Sequence, residues 1–461
     1  LNRTAGKPLT VDTVLYNAKV LAEGGLLEAG VAVDDGKIVD VAKAPNLPAA
    51  SKRIDLRRSL LLPGLIDPHV HLRGQLQAYE EDFYTGTAAA AVGGITFVLD
   101  MPNNQPVTMD ATSLSERMRS AGVDTVVNVG FFAAFPEDPE EMGRIVDLGA
   151  IGFKLFLTTP IGGLDIDDDG ALLHAFSRAK RLGVPVAVHA EDRQMIASLA
   201  EAERECGHEG VEAYLKAHTP EVETRAVERI VRIARNSGAH VHFCHVSSKG
   251  AITLIKDAKK AGLPVTCEVT PHHLLLTCGV LKQKGTIMLV DPPVRSQLEV
   301  DGLWAAVRAG IVNALASDHA PHLLEEKRAK SIWDVKPGFP GLETLLPLML
   351  TEVNASRLSI SELAKLAAEE PARTFHLRNE GYLKEGYNAN MTVVDMHKEG
   401  RIRAEAFYSK AKYSPFDGWK VKGLPQKTFV NGRLVSEDGV LVAERGAGRV
   451  LRGKRVDING V

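Results

Sequence analysis

Leu60-Leu61-Leu62-Pro63-Gly64-Leu65-Ile66-Asp67-Pro68-His69-Val70-His71-Leu72-Arg73 is the stretch on which the reading of this chain turns. A short apolar run closed by polar residues is what a strand buried on both faces requires. Side chains along a strand alternate between its faces, so His69 and His71, two apart, point the same way at the strand end. Two imidazoles so placed can grip one metal ion. A single His-x-His pair is weak evidence, and its weight depends on how other strands end.

Seven further apolar segments follow the first, Leu60–Ile66: Ile95–Leu99, Thr125–Val129, Ile151–Leu157, Pro185–Val188, His240–Phe243, Pro264–Val269 and Asn313–Ala316. Helical stretches separate them, such as Val222–Asn236, whose Val227, Ile230, Val231 and Ile233 recur at helical spacing. Eight strands alternating with helices predict an α/β fold of the (β/α)8 TIM-like barrel type, with an open doubly wound sheet as the alternative. The two chain ends read differently. Val14–Val20, a hairpin around Asp34-Asp35-Gly36, Asn390–Asp395 and Lys427–Val435 are strand-like with turn punctuation. The expected organisation is residues 1–60 and 386–461 joined in a small β-sandwich, and residues 61–385 as a metal-dependent catalytic barrel.

Composition narrows the function classes. The chain has 461 residues, 45% hydrophobic and 25% charged, which suits one large domain and a smaller one. A net charge of −3 gives no electrostatic case for nucleic acid or an anionic membrane as partner. Cys206, Cys244, Cys267 and Cys278 are too few and too irregular for a disulfide framework and suit a reducing compartment. No run has membrane-spanning length, and Leu1-Asn2-Arg3-Thr4 does not begin a secretion signal. A cytoplasmic location is the expectation.

Ligand-type residues follow the predicted strands. His69 and His71 end the first, Lys154 lies in the fourth, His189 ends the fifth, His245 follows the sixth, and Asp318 and His322 follow the eighth. Barrel enzymes build their sites at the C-terminal strand ends. Each residue also has a plainer reading: His189 or His245 as a hydrogen-bonded core histidine, Asp318 as a helix cap. Lys154 is the anomaly. An ammonium among Ile151, Phe153, Leu155 and Phe156 must reach the rim, find a partner or be chemically altered.

With these residues in place, the chain resembles the amidohydrolase superfamily and, within it, the class I dihydroorotases. The similarity extends over essentially the whole chain. The resemblance implies two Zn2+ per chain, one held by His69, His71 and Asp318 and the other by His189 and His245. Lys154, as a CO2-derived carbamate, would join them, with a bridging hydroxide completing both shells. A carbamate turns a buried cation into an anion held by two dications. The family's HxHxR, MPN and DxAPH motifs match Arg73, Asn103 and His322, which the resemblance assigns to the substrate carboxylate. Pro337–Thr344 resembles the family's GxxGLET loop. The implied reaction is reversible cyclisation of N-carbamoyl-L-aspartate to L-dihydroorotate plus water, a step of pyrimidine biosynthesis, with Asp318 as general acid and base. The implied partners are this small molecule and either a second copy of the chain or other pyrimidine-pathway enzymes.

Two segments depart from the family pattern. Gly74-Gln75-Leu76-Gln77 stands where Glu-Pro-Gly usually follows the arginine, and Asp291-Pro292-Pro293-Val294-Arg295 where bacterial members often carry NPPxR. His272 and His273 also match the family and read as packing behind the site. The nearest alternative is another cyclic amidase, a dihydropyrimidinase, hydantoinase or allantoinase, whose substrates carry no ring carboxylate for Arg73 to read. A non-catalytic scaffold is the alternative of another class, and such relatives lose metal ligands that this chain retains.

Overall fold

The computed structural model describes residues 10–22 and 25–453, so the Leu1–Thr4 start and the outermost parts of segments 1–60 and 386–461 lie outside the described residues. Eight parallel strands form one sheet in sequence order: β1 (Leu65–Val70), β2 (Ile95–Asp100), β3 (Asn128–Ala134), β4 (Gly152–Phe156), β5 (Val186–His189), β6 (Val241–Phe243), β7 (Val265–Val269) and β8 (Ala314–Leu315). The segment after β8 closes the ring onto β1. Val70 and His319 form a parallel bridge. His71 N–H donates to the His319 carbonyl at 2.8 Å. The Asp67 carboxylate accepts from Ser317 N–H at 3.1 Å. Helices separate the strands, and the expected (β/α)8 barrel is the observed one.

The helices form for local reasons. The helix Pro220–Ser237 starts on a proline, which suits a first-turn position without an intrahelical N–H bond, and ends at Gly238 in the left-handed region, φ 65°. Its Val222, Val227, Ile230 and Ile233 are buried along one stripe. The helix Phe83–Val92 opens on a capping box in which Asp82 accepts from Thr85 N–H.

The opening apolar run is two strands rather than one. Leu60–Pro63 belongs to the outer sheet and Leu65–Val70 to the barrel. Gly64 is the joint: a Cβ there would lie 2.3 Å from Thr96 Oγ1 and 2.8 Å from the Asn390 carbonyl carbon, so only glycine lets the backbone pass. β3 also starts later than the apolar signal at Thr125, because Thr125 terminates the helix Ala111–Asp124.

Strands from both chain ends do meet. Thr10–Ala22, Gly25–Asp34, Lys37–Ala42, Ala49–Asp55, Leu60–Pro63, Met391–Arg401, Lys420–Val430, Arg433–Glu437 and Val440–Leu441 pair in one continuous sheet of nine strands. Asp35-Gly36, Asn431-Gly432 and Asp438-Gly439, all at positive φ, make three of its hairpin turns. Its core, including Leu15, Val31, Ile38, Leu61, Met391 and Phe429, is separate from that of the barrel. Among the described residues no helix is long and apolar enough to cross a membrane.

Candidate metal centre

Because β1 is pleated, His69 and His71 share a face, and both approach one atom. Asp318 Oδ1 lies 3.5 Å from His69 Nε2 and 3.3 Å from His71 Nε2. Across the ring mouth, His189 Nδ1 and His245 Nε2 stand 3.2 Å apart. The His69 and His245 rings, with centroids 5.1 Å apart, connect the two groups. Lys154 is fully buried between them. Its Nζ donates to Cys244 Sγ at 3.0 Å and lies 4.8 Å from the centre of the Phe156 ring.

These distances fit cation binding. Four ligands at 2.0–2.1 Å around a tetrahedral ion are spaced by about 3.3–3.4 Å, which is the spacing seen in both groups. His69 Nε2 is buried without a hydrogen-bond partner, the condition of a lone pair awaiting an ion. Burial, with the Lys154 charge beside it, lowers His69 to about 4. His71 and His245 are also held well below the ordinary histidine value, chiefly by burial. All three are therefore neutral near pH 7, the form that ligates metal. Burial pushes Asp318 up, against the pull of His69 and Lys154. Backbone strain collects here as well: Arg73, His245 and Asp318 all have positive φ, at 51°, 33° and 48°. Such strain costs on the order of 1–3 kcal/mol each and persists where surrounding structure fixes it.

A buried layer that sequence reading missed orients the ligands. Glu268, on β7, accepts from His69 Nδ1 at 2.5 Å through Oε1 and from His242 Nε2 at 2.9 Å through Oε2. The same Oε1 accepts from His245 N–H at 3.1 Å. His242 Nδ1 meets Thr266 Oγ1 at 2.9 Å, and Thr266 also meets His240 Nε2. Burial alone would raise Glu268, but His69 and His242 outweigh it and hold the carboxylate below its usual range. Charged Glu268 fixes the Nδ1–H tautomer of His69 and leaves Nε2 free. Glu191 does the same for His189, accepting from Nε2 at 3.0 Å and from His218 Nδ1 at 3.2 Å. For Glu268 and His242 the available signal was that which singled out Lys154, an ionisable residue inside an apolar strand; Glu191 lies two residues beyond β5.

The three residues matched to the substrate carboxylate are split. Asn103 Oδ1 accepts from His71 Nδ1 at 2.6 Å, so its carbonyl orients a candidate ligand. Arg73 and His322 are neighbours, with Nη2 and Nε2 3.1 Å apart. Arg117 supports the turn after Arg73, donating to the Arg73 carbonyl at 2.6 Å and to Asp100 at 2.8 Å. Behind the site, His273 Nε2 meets the Pro292 carbonyl at 2.9 Å and His272 packs on Phe339, centroids 5.0 Å apart.

Known proteins resemble this chain over most of its length. The model of the Amidohydrolase family matches residues 60–435. A dihydroorotase of Methanothermobacter thermautotrophicus is 38% identical over 440 residues, 94% of this chain and 96% of that protein. An L-hydantoinase of Paenarthrobacter aurescens is 32% identical over 95% of this chain and 98% of its own length. Among solved structures, the L-hydantoinase (dihydropyrimidinase) from Arthrobacter aurescens superposes with a TM-score of 0.93 at 32% identity, covering 96% of this chain and all of that one. A D-hydantoinase follows at 0.89 and 27%. The chain belongs to the amidohydrolase family.

Proposed function

We propose that this hydrolase is a dihydroorotase that interconverts N-carbamoyl-L-aspartate and L-dihydroorotate at a binuclear zinc centre. The observation that carries the reading is Arg73, a buried guanidinium two residues beyond His71 and in contact with His322. A planar fork beside the metal-type ligands suits a carboxylate on the substrate ring. The 38% identity to a dihydroorotase over nearly the full length supports it.

His69, His71 and Asp318 would hold one cation, His189 and His245 the other, and carboxylated Lys154 would join them. When bound, the cations supply Lewis-acid polarisation of the ring carbonyl and an activated water near neutral pH. The chain's own residues do the rest. Asp318 takes a proton from the attacking water and delivers it to the leaving ring nitrogen, a role that suits a carboxylate beside His69 and His71. Arg73 and His322 fix the substrate carboxylate and so the approach of the carbonyl. Glu268, Glu191 and Asn103 keep the histidines in orientation. The test is turnover of dihydroorotate against dihydrouracil, hydantoin and allantoin. Dihydroorotate should be preferred by orders of magnitude, and preference for a neutral ring would overturn the assignment.

One observation favours a second reading, a hydantoinase-type cyclic amidase. Arg73 already has a carboxylate neighbour, Glu80, with Oε2 3.1 Å from Nε. A guanidinium neutralised from within is compatible with an uncharged substrate, and the same turnover series separates the two readings.

A further inference from the structure

Glu80 is unexplained by the site described so far. It lies on the turn between Arg73 and the helix Phe83–Val92, three residues beyond the Gly74–Gln77 segment that stands where Glu-Pro-Gly is usual. It is 4% exposed, and its two carboxylate oxygens face the two residues matched to a substrate carboxylate. Oε2 is 3.1 Å from Arg73 Nε, and Oε1 is 3.6 Å from His322 Nδ1. Tyr79 Oη donates to Oε1 at a long 3.4 Å. Neither Arg73 nor Glu80 is exposed beyond 6%, so the pair is shielded from solvent.

The fit of this carboxylate is imperfect. Oε2 is buried and has no hydrogen-bond partner of good geometry despite its closeness to Arg73. His322 Nδ1 is likewise buried and unpartnered, with Glu80 on one side and Glu326 Oε2 3.8 Å away on the other. Both ends of the Arg73–His322 pair therefore face a carboxylate that holds them loosely. In the turn carrying Glu80, Leu76 and Tyr79 are 72% and 55% exposed, whereas Glu80 and Glu81 are buried. Arg73, Gly74 and Gln75 are consecutive residues at positive φ, at 51°, 68° and 48°, so the turn is strained where it leaves the strand.

We infer that Glu80 is an internal stand-in for the substrate carboxylate. It occupies the Arg73–His322 pair until a carboxylate-bearing ligand displaces it, and it thereby sets how strongly the site discriminates charged from neutral rings. This deepens the proposed function and rests on its assignment of Arg73 and His322. Two carboxylates cannot share one guanidinium without repulsion, so part of the binding of a charged ligand is spent on expelling Glu80. A neutral ring does not need that displacement. Glu80 is a specificity-determining residue and takes no part in bond making.

The experiment compares wild type, Glu80→Gln and Glu80→Asp as metal-loaded proteins. Calorimetry reads the binding of orotate, a planar ring carboxylate, and kinetics reads the ratio of kcat/KM for dihydroorotate to that for dihydrouracil. Gln retains a group able to hold Arg73 Nε and removes the competing charge. Orotate should bind about tenfold more tightly, and the efficiency ratio should rise by about the same factor, the scale of one charge-assisted hydrogen bond. Glu80→Asp keeps the charge but withdraws it by one methylene, giving a smaller tightening if Gln disturbs the turn. A structural role alone would change both substrates together and leave the ratio constant. Unchanged or weaker orotate binding in both variants would overturn the inference. If wild type fails to turn over dihydroorotate, the proposed function falls, whereas tighter orotate binding in Glu80→Gln would still establish the competition.

Discussion

Glu268→Gln isolates the layer beneath the candidate metal ligands. The wild-type carboxylate accepts from His69 Nδ1 at 2.5 Å and from His242 Nε2 at 2.9 Å, one through each oxygen. A carboxamide has one acceptor and one donor end, so it cannot receive both protons. Either His242 loses or reverses its bond, or His69 moves its proton to Nε2, the atom facing Asp318 Oδ1 at 3.5 Å. The second choice removes the lone pair that a cation needs. Charge-assisted hydrogen bonds contribute about 1.5–3 kcal/mol, and altering such supporting groups typically weakens metal binding about 10- to 100-fold. A chelator competition read by elemental analysis should show one cation per chain bound that much more weakly, with the barrel intact by circular dichroism. His242→Ala, which touches Glu268 and no candidate ligand, should weaken the same cation by about tenfold or less. Wild-type metal retention in Glu268→Gln would refute the orientation argument.

Lys154→Ala should lose metal and activity together, with partial rescue by small carboxylic acids, and full metal content in this variant would exclude the carbamate. Asp318→Asn should preserve the fold and abolish turnover in both directions, since the amide keeps shape and loses the proton-carrying group; near-wild-type rates would rule out the proton transfer assigned to it. Glu380 is buried between Asn388 and Asn390 at 2.6 and 2.8 Å, and burial raises it from 4.5 to about 7. The folded chain thus holds a proton that the unfolded chain releases, and stability should fall as pH rises from 4.5 to about 7. Glu380→Gln should remove up to one proton, about 1.4 kcal/mol per pH unit, from that slope, as read by urea denaturation across the window; an unchanged slope would contradict it.

Much of the architecture was legible because burial leaves strong marks. Strands buried on both faces must be apolar throughout, and the helix Pro220–Ser237 carries its stripe and its proline and glycine ends openly. His69 and His71 were legible through strand period, and Lys154 through its conflict with its neighbours. Gly64 was not, because the need for glycine comes from Thr96 and Asn390, distant in sequence and adjacent only in space. Glu268 and His242 act through partners on other strands, and Glu191 joins His189, two residues away, to the distant His218, so the roles of all three emerge only in space. Glu80 was not singled out, because its meaning depends on a turn that folds it back onto Arg73.

The measurement closest to the central claim is the ratio of kcat/KM for dihydroorotate to that for dihydrouracil, in wild type and in Arg73→Lys. Lysine keeps the charge and loses the planar fork, so a two-point contact becomes a single one. The account predicts a wild-type ratio far above one and a fall of about 10- to 100-fold in the variant, from the 1.5–3 kcal/mol of a charge-assisted hydrogen bond. A wild-type ratio below one, or a ratio that Arg73→Lys leaves unchanged, would mean that Arg73 does not read a ring carboxylate, and would contradict the assignment.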